Sequence, residues 1–408
     1  MQSARNILQT TTSLATLGTL ALLAVLVLAA SQPVRAQTTE NVVYSFTGGL
    51  DGKHPYAGVV RDAHGNLYGT TIQGGAYAYG VVFKLDGSGK ETVLFNFPAN
   101  GGEAALPTGL TKDRLGNLYG TTYAGGAYGK GSVFKLDAGG NLTVLYSFTG
   151  GTDGGEPQAA VLPDKQGNLY GTAEQGGNVG SCYQAGCGTV FKLDATGHET
   201  VLYSFTGTGG DGFWPCADLL VRDGHGNLYG TTLQGGAYGG TYGYGTVFKV
   251  DATGKETVLH SFTETGGDGA NPYAGLVRDA HGNLYGTTTW GGLFGYGMVF
   301  KLDPKGNETV LHSFEGSGGD GADPYAGLLL DPHGNLYGTT GAGGAFASGT
   351  VFKLDPSGNE TVLYSFKGSG GDGSYPAAGL VMDKKGNLYG TTVDGGAYDQ
   401  GTVFKLTP

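Results

Sequence analysis

The sequence is poor in the features that define several classes of protein. It has only three Cys in 408 residues, too few for a disulfide-based scaffold. Beyond residue 36, no apolar run approaches the ~20 residues of a membrane-spanning helix, and no stretch sustains the 3.6-residue apolar period of an amphipathic helix. We therefore expect a mature chain that is neither a disulfide-stapled miniprotein, a helical bundle nor inserted in a membrane.

Charge is also scarce, and it is mostly negative. Only 14% of the residues are Asp, Glu, Lys or Arg, and the formal net charge is −11. Because an acidic surface repels phosphate groups, we expect neither nucleic acid nor an anionic membrane surface as a partner.

Glycine, in contrast, is abundant. The 82 Gly and 14 Pro make up nearly a quarter of the chain, close to the level typical of low-complexity disorder. However, 25 Tyr, 18 Phe and a hydrophobic fraction of 39% supply the apolar surface that disordered chains lack. The composition favours a folded protein built from strands and turns.

The first 36 residues differ from the rest of the chain. Arg5 precedes an apolar stretch from about residue 14 to residue 30, and small residues lead up to Ala36. This is the three-part pattern of a secretory signal peptide. It predicts cleavage after Ala36 and a secreted or periplasmic mature protein, with a retained N-terminal anchor as the alternative.

A tandem repeat occupies the remainder of the chain. The string GNLYGT occurs seven times, beginning at Gly65, Gly116, Gly167, Gly226, Gly282, Gly334 and Gly386. Each unit contains four short apolar segments separated by Gly-rich or Asp/Gly turns, which is the pattern of four antiparallel strands. Four strands per unit of roughly 50 residues are typical of a propeller blade. We predict an all-β, seven-bladed β-propeller over residues 37–408.

The two ends of the repeat region predict how the ring closes. The last unit stops after its third strand, at residues 401–406, and residues 42–46 supply the missing fourth segment, VVYSF. The N-terminal strand is therefore expected to complete the last blade, which removes both open sheet edges. A closed ring of this kind is expected to be a monomer. The Gly inside each NLYGTT strand is expected to allow another backbone to approach closely.

The motifs GNLYGTT, GTVFKL and ETVLYSFTGG resemble the GloVer tandem-repeat family of secreted bacterial proteins over residues 40–408. This resemblance implies an exported repeat protein and implies no activity, substrate or catalytic residue. C-terminal anchors are common in the family, but this sequence ends on a propeller strand.

Several polar residues recur in nearly every unit, and turn and strand structure explains them best. Seven Asp end the first strands and seven Lys occupy the third strands, where Asp can accept turn N–H groups and Lys stems can cover apolar surface. The GGxDG loops add six further Asp. Such carboxylates could bind Ca²⁺, but one carboxylate per loop does not form a coordination sphere. We therefore expect no metal and no cofactor.

The interruptions of the repeat are better candidates for function. They lie in long loops on one face of the predicted propeller and contain both Trp and all three Cys. The predicted ligand-binding residues are Trp214, Tyr238, Tyr242, Tyr244, Trp290, Asp211 and Asp268. Aromatic rings carry much of the energy at binding sites, although ordinary loop packing also accounts for them.

The Cys pattern predicts one short disulfide. Cys182 and Cys187 lie in one loop of an exported protein, so we expect them to pair and Cys216 to remain free. Pairing of Cys216 with either of the other two is the alternative.

The sequence thus predicts an exported binding module that takes a glycan or a peptide on its long-loop face. No His-x-x-x-His spacing, GxSxG elbow or P-loop occurs, so the chain is more readily a binding protein than an enzyme. Two alternatives are open. One is an enzyme that acts on an extracellular polysaccharide or a lactone, and the other is a structural protein of the cell envelope.

Overall fold

The computed structural model describes residues 38–98, 104–178, 182, 185–215, 219–240 and 242–407. The predicted signal peptide, residues 1–36, lies outside these residues, as do Tyr183 and Cys216. The described chain consists of strands and turns without a helix, so none of it forms a helix able to cross a membrane.

The strands form seven four-stranded antiparallel sheets across the described residues, which confirms the predicted seven-bladed propeller. Blade 1 contains Val60–Arg61, Leu67–Thr71, Val81–Leu85 and Glu91–Asn96. Blade 2 contains Ala104–Lys112, Leu118–Gly125, Ser132–Leu136 and Leu142–Ser147. Blade 3 contains Leu162–Pro163, Leu169–Ala173, Thr189–Leu193 and Glu199–Ser204. Blade 4 contains Val221–Arg222, Leu228–Thr232, Thr246–Val250 and Glu256–Ser261.

The last three blades follow the same order from first to outer strand. Blade 5 contains Val277–Arg278, Leu284–Thr288, Met298–Leu302 and Glu308–Ser313. Blade 6 contains Leu329–Leu330, Leu336–Thr340, Thr350–Leu354 and Glu360–Ser365. Blade 7 contains Val381–Met382, Leu388–Thr392, Thr402–Thr407 and Thr39–Ser45.

Short two-stranded ribbons stiffen the long-loop face. Each pairs a blade-to-blade loop with the second-to-third loop of the blade that follows. The ribbons are Gly212–Phe213 with Gln234–Gly235, Gly269–Ala270 with Trp290–Gly291, Gly321–Ala322 with Ala342–Gly343, and Gly373–Ser374 with Asp394–Gly395.

The N-terminal strand closes the ring, as the sequence predicts. Thr39–Ser45 is the outer strand of blade 7 and pairs with Thr402–Thr407. The Phe46 N–H donates to the carbonyl of Gly401 at 3.0 Å, and the Phe46 side chain is fully buried against blade 1. The first and last strands of the propeller therefore share one sheet.

The core consists of apolar layers between neighbouring blades. In the third strand of blade 7, Val403 packs with the layer shared with blade 1, whereas Phe404 and Leu406 pack with the layer shared with blade 6. In each layer the Phe that directly follows an outer strand meets the third-strand Phe of the next blade edge to face, with ring centroids 5.0–5.4 Å apart. Both faces of every blade are thus buried, which stabilises the ring.

The strand Gly of GNLYGT leaves room for a side-chain ring, and in blade 2 also for a backbone as expected, since a Cβ atom on Gly120 would lie 2.5 Å from the carbonyl oxygen of Gly109. A Cβ atom on Gly286 would lie 2.6 Å from Cζ of Phe300, the residue opposite it in the third strand. The same clash recurs at Gly69 with Phe83. The expectation of a closely approaching backbone was therefore wrong for Gly286 and Gly69, because the space is filled by the third-strand Phe ring.

The repeated Asp and Lys are structural, as predicted. Asp62 accepts hydrogen bonds from the backbone N–H groups of His64 and Asn66, from Asn66 Nδ2 and from the Tyr68 hydroxyl. Burial alone would raise the pKa of this carboxyl, but these bonds outweigh it and lower the pKa. The ammonium of Lys84 lies 5.9 Å from the centre of the Tyr68 ring, a cation–π contact that recurs in other blades.

Candidate functional site

The chain enters the centre of the ring through one repeated backbone element, which we call the entry turn. It consists of the residues immediately before and after one Pro, which precedes the first strand in six blades and, as Pro107, lies within the first strand of blade 2. The residue before Pro has φ between 54° and 57° in every described entry turn, at His54, Leu106, Glu156, Trp214, Asn271, Asp323 and Tyr375. A non-Gly residue in this left-handed region costs ~1–3 kcal/mol. The strain is held by interblade bonds, such as the bond of 2.8 Å that Asn271 N–H donates to the Tyr244 carbonyl.

The entry turns combine a repeated backbone with varied side chains. The residues after Pro are Tyr56, Thr108, Gln158, Cys216, Tyr273, Tyr325 and Ala377. Except for Cys216, which is not among the described residues, all of them line a cavity of about 90 Å³ on the long-loop face of the ring. A second cavity of about 250 Å³ continues inward between the first strands. The first cavity is therefore the mouth of the central channel.

A hydrogen-bonded chain crosses this mouth. The Tyr273 hydroxyl donates to Oε1 of Gln158 at 3.1 Å, and the Gln158 amide donates to Oε2 of Glu174. Burial raises the pKa of Glu174, and the Gln158 bond only partly opposes this increase. Tyr273 belongs to the entry turn of blade 5 and Gln158 to that of blade 3, so these hydrogen bonds link two non-adjacent blades.

Three Tyr, Tyr56, Tyr273 and Tyr325, line the mouth. Tyr325 lies edge to face with Tyr273 and with Tyr375, at centroid distances of 5.8 and 5.7 Å. Burial, with the neighbouring Tyr56, raises the pKa of the Tyr375 hydroxyl, which therefore stays neutral. Burial also raises the pKa of the Asp323 carboxyl. The mouth thus presents aromatic faces beside hydrogen-bonding groups such as the Gln158 amide.

The structure separates the aromatic residues predicted from the sequence. Trp214 occupies the entry turn of blade 4, where its half-buried ring lies 5.4 Å from Phe213 and packs on the core between blades 3 and 4. Tyr244 is half-buried against the layer between blades 4 and 5. Tyr238, Tyr242 and Trp290 are more than 50% exposed. The predicted sector therefore contains both packing residues and accessible ones.

The two predicted rim carboxylates bond within their own loops. Oδ2 of Asp211 accepts from the Tyr203 hydroxyl and from Thr206 N, at 2.9 and 2.7 Å. Oδ2 of Asp268 accepts from the backbone N–H of Thr263 at 2.8 Å. Turn structure therefore explains both residues, and their hydrogen bonds to a ligand remain a prediction.

The structure also contains a disulfide between Cys182 and Cys187. Gly207 lies against it: a Cβ atom there would be 2.6 Å from Sγ of Cys182. The competing pairings of Cys216 concern a residue outside the described part of the chain.

Exposed aromatic side chains recur in the second-to-third loops, on the long-loop face of the propeller. We call these side chains the rim aromatics. We count one per loop, the aromatic residue two positions after the paired Gly, and within the described residues these are Tyr77, Tyr128, Tyr238, Phe294, Phe346 and Tyr398. Their exposed fractions are 51–64%. The fold does not bury them, so their rings are accessible to a ligand.

A second repeated polar group lies at the outer edge, between neighbouring blades. We call it the outer-edge triad: a Tyr or His near the end of one outer strand, the Asp of the following loop, and the Glu that begins the next outer strand. Those whose contacts are described are Tyr44, Asp51, Glu91; Tyr146, Asp153, Glu199; Tyr203, Asp211, Glu256; His260, Asp268, Glu308; and Tyr364, Asp372, Glu40. Burial, with the nearby Asp, raises the pKa of Glu40, Glu91, Glu199 and Glu256 to about 7.

Sequence reasoning missed both the channel mouth and the triads. The mouth had a visible signal, because residues vary on both sides of a Pro that recurs in every unit. The triads had a weaker one. Their members recur in the sequence, but only the packing of adjacent blades brings, for example, Glu199 to Asp153.

The fold and the mouth together define a class: a tandem-repeat, seven-bladed propeller with a tyrosine-lined cavity at one end of its channel. The chain belongs to the Gloeobacter/Verrucomicrobia repeat family, whose model matches residues 32–240 and 237–408. This confirms the resemblance found in the sequence. No curated protein sequence matches the chain significantly.

Solved structures similar to this chain share its fold at low identity. The extracellular domain of a candidate one-component system from B. thetaiotaomicron is 9% identical, with a TM-score of 0.52 over 90% of this chain and 40% of that chain. A candidate 6-phosphogluconolactonase from Bacteroides uniformis is 16% identical, with a TM-score of 0.51 over 80% of this chain and 88% of that one. At these identities the likeness extends to the fold alone.

Proposed function

We propose that the protein is an exported, monomeric binding module that takes the end of a glycan at the channel mouth. The observation that carries this proposal is the entry turn, in which a strained backbone of constant geometry presents different side chains around one cavity. Strain of this kind clusters at functional sites, and ligand cavities commonly combine aromatic walls with a few polar groups.

The chemistry of the mouth favours a sugar over a peptide. The rings of Tyr273 and Tyr325 offer flat faces for the C–H groups of a sugar, and Gln158 offers an amide beside them. A small cavity suits the end of a chain, and the rim aromatics provide further contact surfaces for the units that follow. Asp211, Asp268 and Trp290 remain predicted contacts at this outer level.

A glycan array followed by titration calorimetry tests the proposal. We expect Gln158→Ala and Tyr325→Ala to weaken binding of the selected glycan by ~2 kcal/mol. Trp290→Ala should weaken it less, and Trp214→Ala should mainly lower the melting temperature because that ring packs on the core. Unchanged affinity in both mouth variants, with intact folding, would contradict the proposal.

Glu174 favours a second candidate, an enzyme acting on a polysaccharide or a lactone. Its buried carboxyl has a raised pKa and is bonded to a residue of the mouth, as expected for a general acid. Product analysis of the same glycans, and of lactones, distinguishes the two. Turnover that is lost in Glu174→Gln while binding persists would favour the enzyme.

A further inference from the structure

The outer-edge triad between blades 4 and 5 differs from those built on Tyr. In the Tyr triads, the phenol O–H donates to the Asp carboxylate at 2.9–3.0 Å. In the triad between blades 4 and 5, His260 replaces Tyr. Its Nε2 lies 3.5 Å from Oδ1 of Asp268 and 3.7 Å from Oε1 of Glu308. Both separations are ion-pair distances, and the shorter one is at the outer limit of a hydrogen bond.

The three side chains nevertheless converge. One ligand atom from each of His260, Asp268 and Glu308 lies within 4.8 Å of the other two. Nε2 of His260 and Oε1 of Glu308 are both buried and lack a well-formed hydrogen bond. The equivalent Glu oxygen is unpartnered in the Tyr triads as well, so the buried His260 nitrogen is what distinguishes this triad. Buried polar atoms are rarely left unsatisfied, so the arrangement calls for a group placed between them.

The spacing fits a metal ion. Bonds of ~2.0–2.1 Å at tetrahedral angles place two ligand atoms ~3.3 Å apart, within a few tenths of an ångström of the two distances from His260. One imidazole nitrogen with two carboxylate oxygens suits a first-row transition ion, whereas Ca²⁺ and Mg²⁺ prefer oxygen ligands alone. We propose that His260, Asp268 and Glu308 bind one divalent transition-metal ion, such as Zn²⁺, which links the outer strands of blades 4 and 5.

This site lies apart from the channel mouth, and it departs from the expectation of no metal drawn from the sequence. Water would complete the coordination sphere, as in sites with three protein ligands. Because His260 and Glu308 belong to different blades, the ion would act as a cross-link between them and stabilise the folded ring by mass action.

The neighbouring interface provides a matched control. His312 occupies the equivalent position in blade 5, but its Nε2 lies 3.3 Å from Oδ2 of Asp320, within hydrogen-bonding distance. His260 and His312 thus stand in the same strand position, and only His260 belongs to a converging set of three ligands within the described residues.

The test compares Zn²⁺ binding by the full chain and by His260→Tyr, Glu308→Gln and His312→Tyr, each stripped with EDTA and titrated against a competing chelator. Tyr is the residue that other triads already use, so His260→Tyr preserves a known packing arrangement. We expect the wild type and His312→Tyr to bind one tight equivalent of Zn²⁺. His260→Tyr and Glu308→Gln should bind at least ~10–100-fold more weakly, since even outer-shell changes have effects of that size.

Thermal melting provides a second measurement. Added Zn²⁺ should raise the melting temperature of the wild type and of His312→Tyr, with a much smaller shift in the other two variants. The proposal is overturned if the wild type binds Zn²⁺ no more tightly than His260→Tyr, or if His312→Tyr loses as much affinity as His260→Tyr. The exposed His of the short turns are unchanged in all four proteins, so any weak Zn²⁺ binding by them contributes equally and does not affect the comparison.

Discussion

Two sets of aromatic side chains repeat around the propeller in opposite environments. The Phe pairs of the interblade layers, such as Phe262 with Phe300, are fully buried. The rim aromatics, such as Phe294, are more than half exposed. Repetition alone therefore does not distinguish a structural residue from a functional one, because both sets recur from blade to blade. Burial distinguishes them, and it becomes visible only in the folded ring.

The largest effect should follow from removing one member of the buried set together with its strand. Deleting residues 37–47 removes Phe46 and leaves Thr402–Thr407 as an open edge. We expect a large loss of unfolding free energy, exceeding that of any single substitution, and self-association through the exposed edge. Chemical denaturation and sedimentation measure both, with the chain starting at Gln37 as the control. A monomer of unchanged stability would contradict the closed ring.

The comparison is sharpest within blade 5. Phe300→Ala should lower the free energy of unfolding by ~3–5 kcal/mol, because it leaves a cavity in a buried layer. Phe294→Ala should change it by no more than ~0.5 kcal/mol while weakening glycan binding. Denaturation and calorimetry on the same two variants measure these effects. Equal losses of stability would mean that the rim aromatics are also packing residues.

A smaller effect should come from the glycine beneath the buried ring. Gly286→Ala forces a Cβ atom against the Phe300 ring and the Leu276 side chain. Overpacking of this kind costs ~1–3 kcal/mol. Gly224→Ala is the control, since a Cβ there meets nothing within 4 Å. If both variants unfold at the same denaturant concentration, the Phe300 side chain does not require a glycine at position 286.

The parts of the fold predicted from the sequence are those encoded within one unit. Turns, and the hydrogen bonds that Asp62 and its equivalents accept within them, involve residues only a few positions apart. The closing strand was predictable because the last unit lacks its ETVLYSF segment. The channel mouth depends on seven entry turns meeting at one axis, which no single unit specifies. For the same reason the loop position of Trp214 did not reveal that its half-buried ring packs on the core between blades 3 and 4; its contact with a ligand stays a prediction.

A third aromatic set, the half-buried Tyr of the outer-edge triads, is intermediate in burial between the other two sets. The smallest expected effect concerns the Glu of these triads. Glu199 has a pKa raised from 4.5 to about 7 by burial and by Asp153. A carboxyl whose pKa is higher in the folded state stabilises the fold below about pH 4.5, and this contribution is lost as pH rises to about 7.

We therefore expect the unfolding free energy to fall across that pH range, by less than ~1 kcal/mol per Glu after solvent screening. Denaturation in EDTA at several pH values should show a shallower decline in Glu199→Gln than in the wild type. An identical slope in the two proteins would show that Glu199 does not titrate in this window.

The closing strand also governs the order in which the ring can form. The strands of blades 1–6 are contiguous in the chain, whereas blade 7 joins its two ends, where the Ala397 N–H bonds Ser45 Oγ across 352 positions. Contacts between distant residues form slowly, because a long loop must close first. The early blades can thus assemble as the chain emerges, but the final sheet must wait for the last strand. Folding kinetics should accordingly show closure as a late step, one that a circular permutant opened between two other blades would relocate to a different interface.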